Sequence, residues 1–143
     1  MNIAKRLAAV ALFAVTLVFG GCGQGQIGAV DVDKIMADAP RVKTLMAEAE
    51  GKVKEAQQKF EQDAAAKPDM TEEETVKLQT EFQRKLEGIN QAYATQIRSR
   101  MDVVIEEISR EKNIDVVINN SANDKLIFQG AIDITDDVIK KMQ

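Results

Sequence analysis

Through the middle of the chain, apolar residues recur with the period of a helix. From Pro40 onward they fall at Val42, Leu45, Ala49, Val53, Ala56, Phe60 and Ala64. Spacings of three and four residues put all of them on one helical face. Pro40 suits the first helical position, where its missing N–H costs nothing. Lys67-Pro68-Asp69 interrupts the stripe, and Thr71 with Glu74 forms a capping box that opens a second helix. The second stripe runs Leu78, Phe82, Leu86, Ile89, Tyr93, Ile97, Met101, Val104 and Ile108, and it predicts a helix to about Lys112.

The two stripes share a register. Folding the chain about residue 69 brings together positions whose numbers add to about 138: Phe60 with Leu78, Ala56 with Phe82, Val53 with Leu86, Ala49 with Ile89, Leu45 with Tyr93, and Val42 with Ile97. Antiparallel helices joined by a short turn require such a constant. A small residue meets a large one at Ala56 with Phe82 and again at Ala49 with Ile89. The spacing averages slightly above 3.6, which predicts a straight or faintly right-handed pair. At about 1.5 Å per residue the arm should project roughly 40 Å.

On either side of this pair the period changes. Ile27 to Asp33 alternates as a strand does, and a brief helical turn follows around Lys34 to Asp38. Ile114 to Asn119 reads as a second strand, residues 120–124 supply turn chemistry, and Leu126 to Phe128 reads as the partner of the second strand. A last short helix is expected from Thr135 as N-cap, with Asp136 and Asp137 in its first turn and Lys140 and Lys141 near its end. The fold class predicted is α+β and mainly helical, a small β-sheet base with a long antiparallel helical hairpin arm. The arm takes 40–112, and the base takes 29–39 and 113–143.

The N-terminal residues carry a different signal. Lys5 and Arg6 precede an unbroken apolar run from Leu7 to Phe19. That run falls short of the roughly 18 to 20 residues a spanning helix needs, so residues 1–21 read as a secretory signal peptide. Cys22, the one cysteine, sits in a Gly-Gly-Cys-Gly context that looks like a bacterial lipobox, with Phe19 where Leu is usual. Lipid attachment at Cys22 is the expectation, with 22–28 as lipidated cysteine and linker. A lone cysteine makes no internal disulfide.

Composition removes several function classes. From Cys22 onward the chain has 17 basic and 23 acidic side chains, a net charge of −6. Nucleic acid binding, which calls for a basic stripe, is not expected. There is no histidine and no Gly-rich phosphate loop, so metal, nucleotide and enzymatic chemistry lack their usual parts, and neither cofactor nor catalytic residue is expected. The acidic pairs Asp31 with Asp33 and Glu106 with Glu107, and the run Glu72 to Glu74, read as caps and solvated faces.

Four features in order resemble the Skp/OmpH family of periplasmic chaperones. They are AVDVDKIMADAP at 29–40, the charged helical pair, KNIDVVIN at 112–119, and DITDDVIKKM at 133–142. The resemblance implies a holding chaperone that uses no ATP, a homotrimer whose three arms enclose unfolded outer-membrane proteins. It also implies a periplasmic location, here with lipid anchoring to the outer membrane suggested by Gly23 after the cysteine, or else a soluble periplasmic protein. One departure matters, because the family's well-known arms are strongly basic. Residues 40–112 here carry 13 basic and 15 acidic side chains.

Candidate residues follow from the pattern. Val103, Val104 and Ile105 are apolar on several faces beyond the reach of the first long helix, and are expected at a subunit contact. Gly51 and Gly88 fall nearly opposite each other and form a candidate hinge. Off-seam Met46 and Met70 are candidates for client contact, since thioether side chains adapt to varied surfaces. Phe60, Phe82 and Tyr93 lie on the seam and are expected to be structural. A rival reading makes the chain a structural lipoprotein whose coiled arm serves as a spacer or adaptor between envelope layers.

Overall fold

A computed structural model describes residues 25–122, 126–127 and 129–143; Cys22, the signal and Phe128 lie outside these. The elements in order are β1 (Gln26–Val30), α1 (Val32–Asp38), α2 (Pro40–Ala65), α3 (Glu72–Lys112), β2 (Ile114–Asn119), β3 (Ile132–Asp133) and α4 (Thr135–Lys141). The chain is therefore a mainly helical α+β protein. None of the described helices is long and apolar enough to cross a membrane.

β1 lies at the centre of a parallel sheet ordered β2-β1-β3. It begins at Gln26, inside the stretch expected to be linker, because the Gln26 N–H donates to the Asp115 carboxylate at 2.8 Å and pairing with β2 starts there. It ends at Val30 rather than Asp33. Asp31 instead turns its carboxylate back to accept the Lys34 N–H at 2.9 Å, which caps α1 and commits the next residues to a helix. Gly28 is closely packed, since a Cβ there would stand 3.0 Å from an Ile114 methyl and 3.2 Å from Val117 and would make those side chains give way.

α2 has Pro40 in its first turn and no side-chain cap; the Arg41 N–H donates instead to the Met142 carbonyl at 3.0 Å, tying the chain's end to the root of α2. α3 opens on the capping box: the Glu74 N–H donates to Thr71 Oγ1, and Glu74 accepts the Thr71 N–H at 2.9 Å. It closes on Asn113, whose left-handed φ of 55° ends the helix.

Two expectations are corrected in the C-terminal part. Leu126 and Ile127 are not in a strand, and β2 pairs with β1. The side chain of Asn120 takes up the backbone of that segment, accepting the N–H of Leu126 and of Ile127 at 2.8 Å and donating to the Ile127 carbonyl at 2.9 Å. With those groups satisfied there is no ladder to form. The third strand is the two-residue β3, continued by the Ile134 N–H donating to the Ala29 carbonyl. The N-cap of α4 is Ile134, not Thr135. The Thr135 hydroxyl is engaged elsewhere, accepting the Asp31 N–H at 2.9 Å, while Asp133 accepts the Thr135 N–H.

The buried core sits at the base. Val30, Ile35, Ala39, Val42, Leu45, Ile97, Val104, Ile108, Ile114, Ile134, Val138 and Met142 form one cluster drawn from both ends of the chain and the roots of the long helices. Farther out, α2 and α3 pack against each other with little full burial. The Phe60 and Phe82 rings stack with centroids 4.7 Å apart, so Phe82 meets Phe60 as well as the Ala56 expected from the register.

Candidate functional surface

Among the described residues no convergent set of polar groups marks a reaction centre. Among the described residues there is no cluster of His, Cys, Asp and Glu able to hold a metal. Asp31, Glu72, Glu73 and Glu74 sit at helix starts, where free N–H groups and the dipole favour them. The capping-box bonds from Thr71 hold the Glu74 carboxyl below its usual range.

What the molecule offers is surface along α2 and α3. Three shallow grooves follow one another down the pair. At the tip, Asp63, Ala66, Lys67 and Met70 face Glu74, Lys77, Leu78 and Glu81. Next, Ala56, Lys59 and Phe60 face Leu78, Phe82 and Lys85. Below these, Lys52, Glu55 and Ala56 face Arg84, Gly88, Ile89 and Tyr93 across a groove of about 580 Å³. As the numbers fall along α2 they rise along α3.

The candidate residues are placed as follows. Met46 is 47 % exposed on the outside of α2, and Met70 is half-buried in the tip groove. Gly51 and Gly88 are exposed within their helices, and a Cβ at either would meet nothing within 4 Å, so close packing does not account for them. Val103 is 47 % exposed and Ile105 is half-buried. Val104, expected with them at a subunit contact, is 1 % exposed and spent in the chain's own core. Val104 lies on the apolar stripe of α3 with Met101 and Ile108, and at the base that stripe is enclosed by a cluster drawn from β1, α1, α2, β2 and α4.

Comparison with known proteins decides the family. Residues 69–142 match the family described as Outer membrane protein (OmpH-like). The chain belongs to the OmpH-like family. The match takes in α3, β2, β3 and α4, that is, the longer arm helix together with much of the base. No curated protein matches the chain.

Within this OmpH-like chain, sequence reasoning missed two surface features. Ile27 and its register partner Val116 are exposed side by side on β1 and β2, and Leu126 is 70 % exposed beyond the Asn120 turn. Alternation in IGAV and DVVI held the signal for the first pair, but spacing alone does not say which face of the sheet is covered. The second feature is a band of cations around the lowest groove, Lys52, Lys59, Arg84 and Lys85. A count over the whole arm hides it, because acids nearer the tip cancel it.

Proposed function

We propose that this chain is an ATP-independent holding chaperone for unfolded outer-membrane and other envelope proteins in the periplasm, not an enzyme. Membership of the OmpH-like family, read over residues 69–142, carries the proposal. In this reading α2 and α3 form an antiparallel arm on a base, and three chains assemble so that their arms surround a client. The three-stranded sheet is too small to close its own surface, and exposed Ile27, Val116 and Val103, with half-buried Ile105, support burial between subunits. Clients are held by many weak contacts along the shallow grooves, including Met46 and Met70, and the arm bends at Gly51 and Gly88 to suit their size.

Lipid attachment at Cys22 belongs to the same proposal, with the outer membrane as the site of anchoring. Topology gives it a geometric consequence. Gln26, four residues on, pairs with Ile114, next to the end of α3. The other end of that 41-residue helix is the arm's tip, about 60 Å away. An anchor at Cys22 therefore tethers the chain by its base rather than by the arm's tip.

The decisive measurement is light scattering of an unfolded outer-membrane barrel diluted from denaturant, without nucleotide, with the mature chain added. Aggregation should be suppressed near one trimer per client. Failure to suppress it favours the spacer or adaptor, and the mass of the mature N-terminus tests lipidation independently.

A further inference from the structure

The charge along the arm is not mixed but banded. At the root, residues 40–50 and 94–112 carry six basic and six acidic side chains. At the waist, residues 51–59 and 82–93 carry five basic and two acidic, a net charge of +3. At the tip, residues 60–81 carry seven acidic and two basic, a net charge of −5. Gly88 at the waist lies 16 residues from the start of α3, about 24 Å along the helix. That exceeds the screening length of about 10 Å at 0.1 M salt, so a partner meets two separate patches of opposite sign.

The waist groove combines this charge with an apolar floor. Ala56, Ile89, Ala92 and Tyr93 line it beneath Lys52, Lys59, Arg84 and Lys85. Lys52 and Lys59 each hold an acid of their own helix, Glu55 and Asp63. Arg84 and Lys85 form no ion pair among the described residues. Gly88 adds an open position where no side chain stands in the way. The tip has the complementary make-up, Met70 flanked by Asp69 and by Glu72 and Glu73.

We propose that the waist groove receives the acidic tip of a second copy, its arm running in the opposite direction. Antiparallel overlap that sets one tip on the other's waist sets the second tip on the first waist by symmetry, so each attraction counts twice and the contact closes on itself. Arms running side by side in the same direction meet tip to tip and waist to waist, which is repulsive in both bands. The bands thus favour one relative direction. A contact of this span belongs to the weak class of interfaces, under about 1,200 Å², and gains strength where several arms on one assembly engage together. In a chain that holds clients, as proposed above, the pairing occupies the groove floor until a client displaces it. The pairing itself needs no client.

The test uses the mature chain from Gly23, which contains no cysteine. Sedimentation velocity at 20 mM salt should show a species of twice the mass seen at 500 mM. Reversing the waist (Lys59→Glu, Arg84→Glu, Lys85→Glu) or the tip (Asp69→Lys, Glu72→Lys, Glu73→Lys, leaving the capping Glu74) should each abolish it, with unchanged helical circular dichroism, and mixing the two variants should restore it. With Met70→Cys in one copy and Ala92→Cys in another, a short bis-maleimide should link chains at 20 mM and not at 500 mM salt. Mass that ignores salt, doubling that survives either reversal, or doubling without the 70–92 cross-link overturns the proposal. Loss of client holding by the waist variant, with no doubling in the parent, also overturns it and assigns the groove to acidic client segments. Holding activity in the parent is read separately, so the two proposals fail independently.

Discussion

The two ends of α3 are built on different principles. Near the base, Val104 and Ile108 are almost completely buried among residues from β1, α1, β2 and α4. Toward the tip the same helix meets α2 through Leu78, Phe82, Leu86 and Ile89, all left half-open to solvent, and only Ala56 across the seam is fully buried. A two-helix seam cannot surround its side chains; a base with helices and strands on several sides can. Cooperative stability therefore belongs to the base, while the arm opens locally at lower cost. An arm that must fit varied partners benefits from being the cheaper part to deform.

Breaking the base should have the largest effect. Ile108→Ala removes an almost fully enclosed side chain from the core of the base, and should cost about 2 to 5 kcal/mol. Arm and base should unfold together at a lower denaturant midpoint. Exchange protection lost in the base alone, with the arm intact, would contradict the assignment of cooperativity.

Phe82→Ala attacks the arm at its one aromatic stack. Because the ring is only half-buried, the loss should be smaller, about 1 to 3 kcal/mol including the stacking contribution. Hydrogen exchange should quicken on both sides of the tip while protection at Ile35, Val104 and Val138 stays as it was. Equal loss in the base would show that the two regions are one unit.

The same contrast explains how much of the fold is legible in the sequence. The arm is local: period, Pro40, the Thr71 and Glu74 box and the helix end at Lys112 are each written in a few adjacent residues, and all are found in place. The base is assembled from segments about 90 residues apart, so its details depend on contacts that spacing does not encode. Leu126 to Phe128 has the apolar look of a strand, yet Asn120 binds the backbone of Leu126 and Ile127 and leaves Leu126 in solvent. Ile132 and Asp133 look like loop and become a strand because β1 has a free edge beside them. Thr135 reads as a cap and serves Asp31 across the base. On the candidate surface, Met46 is marked by its off-seam position and Val104 by its place on the α3 stripe, whereas the exposure of Val103 and the half-burial of Ile105 depend on how the base closes around α3.

Gly51 and Gly88 sharpen the comparison in the other direction. Both are exposed in helix interiors with room for a methyl group, so alanine at each should stabilise the arm by about 1 kcal/mol. Exchange in the arm should slow with the base unchanged. If the glycines are a hinge, the double variant should also hold a narrower range of client sizes; stiffening with undiminished range would leave them as tolerated weak positions.

The smallest effect should come from the charges on the rim of the base. Lys34 of α1 bonds Asp136 of α4, and Lys112 and Lys141 of the same region pair with Asp137 and with Glu111 and Glu107. The bond to Asp136 raises the Lys34 pKa above its ordinary 10.5, and the bond to Lys34 lowers that of Asp136 below its ordinary 3.8. For the raised lysine, the contribution is complete below pH 10.5 and fades as pH climbs through the folded value. For the lowered aspartate, it is complete above pH 3.8 and fades as pH drops through the folded value. Stability from this pair should thus be flat between those limits. Both side chains stand in water, and α4 is already held by Ile134, Val138 and Met142 in the core. Lys34→Ala should therefore shift the unfolding midpoint less than any substitution above, and the shift should shrink with added salt. A loss approaching that of Ile108→Ala would mean that the rim, rather than the apolar core, keeps α4 on the base.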